Sequence, residues 1–79
     1  MNATKQDLMV AMAAKLQDIL NSQEALIEKT AEVQIDLLEA ADPELEKAIV
    51  DIHTSASANF DSIRQAIDNY QTRLEELEK

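Results

Sequence analysis

Apolar residues recur along the first half of this chain at alternating spacings of three and four: Met9, Met12, Leu16, Ile19, Leu26, Val33, Leu37 and Ala40. That alternation is the seam of a heptad helix, with Gln23 and Thr30 at polar positions of the same register. A second set, Leu20, Ile27, Ala31 and Leu38, runs beside the first. At 100° per residue the two sets together open an apolar arc of roughly 200°, wider than one neighbouring helix covers.

The second half carries a narrower stripe: Leu45, Ile49, Ile52, Ala56, Phe60, Ile63, Ile67, Tyr70, Leu74 and Leu77. It spans roughly 120°. Its spacing slips to four and four at Ile52, Ala56 and Phe60, a stutter expected to unwind a supercoil locally. The stripe keeps its phase through the small-residue stretch Thr54 to Asn59, "TSASAN", which holds neither Gly nor Pro. Continuous helix is expected there. The alternative is four short helices, with Asn21 and Ser62 as extra caps.

Punctuation supports two helices. Thr4 is placed to cap the first, with Asp7 three residues on where a carboxylate meets the positive helix end. In "ADPELE", Asp42 is an N-cap, Pro43 suits the first helical position, and Glu44 and Glu46 load the first turn. Pro43 also pushes Asp42 out of the α region. The prediction is an all-α antiparallel hairpin turning at Asp42-Pro43. Helix 1 should run over about 4–41 and helix 2 over about 43–78, within one domain, 1–79.

Composition agrees. The 79 residues include no Gly, one Pro and two aromatics, so the turns and β-rich runs of a sheet are missing. There is no Cys, which removes disulfides and thiolate sites. The longest apolar run, Leu8 to Ala14, is far short of the roughly 20 residues a bilayer span needs. A soluble, cytoplasmic protein is expected.

Net charge is −9, the wrong sign for nucleic acid or an anionic membrane surface. Glu24, Glu28, Glu32 and Asp36 follow one another at four-residue spacing on helix 1. They form an acidic ladder suited to a basic protein partner, or else a plain solvated face. Rows of carboxylates also suggest mimicry of DNA phosphates, in which the chain would inhibit a nucleic-acid-binding protein.

Catalytic signals are absent. His53 is the single histidine, Asp51 lies on another side of the helix, and no Glu-x-x-His metal spacing occurs. A boundary-facing histidine is the plain reading. No phosphate-binding loop, Cys nucleophile or Ser with a nearby base is present. No cofactor, metal or enzymatic activity is expected.

The wide arc of helix 1 carries the functional expectation. Leu20, Ile27, Ala31 and Leu38 would stay exposed in a lone hairpin, and such strips mark interfaces. A homodimer forming a four-helix bundle is expected, with helix 1 central. The chain then reads as a small acidic protein–protein interaction module, an inhibitor, adaptor or small chaperone. The competing class is a self-assembling structural subunit.

Overall fold

The computed structural model describes residues 4–78 as two helices, α1 (Lys5–Asp36) and α2 (Pro43–Glu78), packed antiparallel as a hairpin. The rod measures 55 × 25 × 15 Å.

Both helices begin as their caps require. Asp7 N–H donates to Thr4 Oγ1 at 3.0 Å, and Thr4 N–H donates back to Asp7 Oδ2 at 3.3 Å, closing a capping box. At α2, Leu45 N–H donates to Asp42 Oδ1 at 3.1 Å and Glu46 N–H to Asp42 O at 2.8 Å. Pro43 follows as the first helical residue, where its missing N–H removes nothing.

Helix α1 stops at Asp36, several residues before the expected Ala41. No described residue has a positive φ, so no left-handed cap turns the chain sharply. The chain unwinds instead through short turns. Leu38 N–H bonds Ile35 O at 3.0 Å, and Glu39 and Ala40 N–H both bond Asp36 O at 3.1 Å. Residues 37–42 then carry the chain across to the neighbouring axis, a gap of about 8–10 Å for packed helices.

The stretch Thr54 to Asn59 is uninterrupted helix, and the four-helix alternative does not occur. Ala56 is only 1% exposed, the most deeply buried residue of the stretch. Removing bulk there lets the two backbones approach.

On α1 the seam keeps the expected Met9, Leu16, Gln23, Thr30 and Leu37 but takes Ala13, Leu20, Ile27 and Gln34 in place of Met12, Ile19, Leu26 and Val33; on α2 it takes His53 in place of Ile52. On α1 the inward positions are Met9, Ala13, Leu16, Leu20, Gln23, Ile27, Thr30, Gln34 and Leu37, all buried or half-buried. On α2 they are Ile49, His53, Ala56, Phe60, Ile63, Ile67, Tyr70 and Leu74. Both sets alternate four and three throughout, so the expected stutter is absent. His53 holds the place assigned to Ile52, which is 43% exposed.

The register is pinned at mid-length. His53 Nδ1 lies 2.7 Å from Thr30 Oγ1, across the hairpin. Equal steps outward from that pair along two antiparallel helices set Ile27 opposite Ala56, Gln23 opposite Phe60, Leu20 opposite Ile63 and Leu16 opposite Ile67. Each inward position of α2 thereby meets an inward position of α1.

Candidate interaction surface

A two-helix hairpin has one internal layer, and here it is thin. Among the described residues only Met9, Ala56 and Ile67 are buried apolar side chains, with Thr30 the buried polar one. The radius of gyration is 17.8 Å, against about 12 Å for a compact domain of this length. The accessible surface is 6143 Å², roughly 1,400 Å² more than the ~4,800 Å² typical of a globular monomer of this mass.

Exposed apolar side chains lie on both flanks, Val10 and Val50 on one and a larger set on the other. Residues one position before the α1 seam are Met12, Ile19, Leu26 and Val33; the first three are 40–47% exposed and Val33 is half-buried. On α2 the positions before the seam include Leu45 and Ile52, both 43% exposed, followed by Asn59 and Ala66. Chain direction reverses between the helices, and so does the sense of rotation seen from one end. Both sets therefore fall on the same side of the hairpin. They form one face, apolar along α1 and at Leu45 and Ile52 of α2, with small and polar residues on α2 beyond Ile52.

This placement corrects the expected self-association strip. Leu20 and Ile27 point into the hairpin's own seam, and Ala31 is half-buried. Leu38 lies past the end of α1 and is 84% exposed. The strip left outward on α1 is Met12, Ile19 and Leu26, which had been assigned inward. Apolar residues stand at adjacent positions, Ile19 beside Leu20 and Leu26 beside Ile27, so the α1 pattern alone satisfies either register. A usable signal was on α2: taking His53 in place of Ile52 restores an unbroken alternation.

The acidic ladder is exposed at all four positions, Glu24, Glu28, Glu32 and Asp36. Each four-residue step turns it about 40° around the helix, so it winds across the surface of α1 and does not stay on one line. Lys29 Nζ pairs with Glu32 Oε2 at 3.2 Å, both side chains well exposed. An ion pair of this kind contributes little to stability.

The middle of the seam is polar. Thr30 Oγ1 lies 3.0 Å from Leu26 O and 2.9 Å from Ile27 O, as well as 2.7 Å from His53 Nδ1. One hydroxyl proton cannot serve both helices. All contacts are satisfied together when that proton faces the carbonyls and His53 carries its own proton on Nδ1, donating to Thr30. Two layers away, Gln23 Oε1 is buried with no hydrogen-bond partner among the described residues. His53 is thus a seam residue rather than a boundary-facing one.

Other features are small. Arg73 sits over the Tyr70 ring at 5.1 Å, a cation–π contact near the open end. A shallow depression beside the turn is lined by Asp42, Glu44, Leu45 and Ala48. No group of His, Asp and Glu among the described residues is placed to hold a metal ion. No described helix is long and apolar enough to cross a membrane.

Comparison with protein-family models, with curated proteins and with solved structures finds no match to this chain.

Proposed function

We propose that this chain is a non-enzymatic protein–protein interaction module that works as a homodimer, an acidic helical pair serving as an inhibitor, adaptor or small chaperone. The observation that carries the proposal is the single-layered hairpin that exposes large apolar side chains of α1, with Leu45 and Ile52 of α2, on one face beside its seam. Ile19, Leu26 and Ile52 stay 40–45% exposed, so each forgoes a little under half of the roughly 1.5–3 kcal/mol that full burial brings, about 1 kcal/mol. Burial against a second hairpin recovers that stabilisation and converts one layer into a bundle core. The ladder Glu24, Glu28, Glu32 and Asp36 would then serve as the landing surface for a further, basic protein.

A second reading has its own support at the ends of the rod. Ile35 and Leu38 are 65% and 84% exposed at the turn end, and Leu8 and Leu77 are about half exposed at the other. Head-to-tail contacts between such ends would build an open polymer, a structural subunit.

Sedimentation velocity across the micromolar range separates the two. A single closed dimer is the expected result. Growth that continues with concentration favours the polymer, and a strictly monomeric, fully helical chain rejects both.

A further inference from the structure

We infer that a second copy of this chain docks on the carboxylate-poor face. Helix α1 of each copy lies over α2 of the other, about a two-fold axis parallel to the helices. The inference rests on the homodimer reading above and specifies its surface and geometry.

Charge decides the face. Two copies carry −9 each and repel on approach, so their contact must fall where carboxylates are few. Helical rotation places Glu24 and Glu28 of α1, with Asp61, Asp68 and Glu75 of α2, on the opposite side of the hairpin. The apolar face has carboxylates only toward its ends, Asp36 and Glu76. Lys15 and Lys29 rim it along α1, both exposed. It is the side on which two strongly acidic chains can meet.

Shape decides the docking mode. Along this face α1 presents large side chains, Met12, Ile19 and Leu26. Beyond Ile52, α2 presents Ser55, Asn59, Ser62 and Ala66, all exposed. Setting α1 over α1 would stack bulk on bulk. Setting α1 over α2 seats Leu26 near Asn59 and Ile19 near Ala66 of the second copy, large against small, with all neighbouring helices antiparallel.

Area is compatible with this contact: the chain exposes roughly 1,400 Å² more than a globular monomer of its mass, spread over both flanks and the ends, and a standard stable interface takes ~800 Å² from each partner.

The test uses the full chain and compares three substitutions with wild type by sedimentation equilibrium. Ile19→Glu should raise the dimer dissociation constant by about a hundredfold or more, since it sets a charge in each half of the contact. Val10→Glu, on the opposite flank, and Leu38→Glu, in the turn segment, should leave it within a few-fold. Because Ile19→Glu could also unfold the hairpin, a crosslink provides an independent readout in a chain that has no Cys. An equal mixture of Leu26→Cys and Asn59→Cys should form a covalent heterodimer on mild oxidation, faster than either variant forms a homodimer. A wild-type dimer without that mixed crosslink overturns the docking mode whatever Ile19→Glu does. Persistence of the dimer in Ile19→Glu removes this face while the homodimer reading stands. A monomeric wild type removes both.

Discussion

At the residue scale the polar middle of the seam sets the register. Thr30 is 4% exposed, and its hydroxyl serves both its own helix and His53. Thr30→Val leaves the His53 Nδ1 donor unmatched in a half-buried layer. The expected loss is about 1–2 kcal/mol in urea unfolding at fixed protein concentration. The same geometry predicts the Nδ1-protonated tautomer of neutral His53, which nitrogen NMR shifts report directly. Gln23 works the other way. Its Oε1 is buried without a partner, so Gln23→Leu should be neutral or stabilising by about 1 kcal/mol. Ala56 admits no such freedom: it is 1% exposed, so Ala56→Leu overpacks the seam and should cost about 1–3 kcal/mol.

At the scale of the elements, the two helix starts are closed by side chains and the end of α1 by backbone alone. Asp42→Ala removes the acceptor for Leu45 N–H and should cost about 1 kcal/mol, readable as a lower urea midpoint. The acidic ladder is a liability to its own helix, since neighbours four apart repel. Changing Glu24, Glu28, Glu32 and Asp36 together to Gln should raise stability by up to about 1 kcal/mol, less the weak Lys29–Glu32 pair. If the same variant also loses a basic protein partner, then stability has been given up for binding at that surface.

For the whole molecule, the balance lies between apolar attraction on one face and like-charge repulsion over the rest. Added salt screens repulsion between two copies at −9 and leaves apolar burial intact. Affinity of the proposed dimer should therefore rise as ionic strength increases, the reverse of an assembly held by opposite charges. Sedimentation equilibrium at low and high salt checks the sign. The dissociation constant should respond to Ile19→Glu far more strongly than to salt.

Much of the fold was legible in the residues themselves, because caps, proline and helix propensity act over a few neighbours. Thr4 with Asp7, Asp42 with Pro43, and the unbroken helix through Thr54 to Asn59 all follow from such local rules. The width of the apolar arc on α1 was also readable. Which part of it faces inward was not. Ile19 and Leu20, like Leu26 and Ile27, are adjacent and equally apolar, so exchanging one for the other at every second seam position only swaps the order of the three- and four-residue steps and keeps the heptad spacing. Only contact with α2 distinguishes the two choices. Thr30 meeting His53, and small Ala56 lying beneath Ile27, select the register that turns Leu20 and Ile27 inward and leaves Met12, Ile19 and Leu26 outside. The sequence by itself determined two capped helices and a surplus of apolar surface. The tertiary structure decided which side chains form that surplus, because side-chain fit across an interface is a property of the pair of helices and of neither one alone.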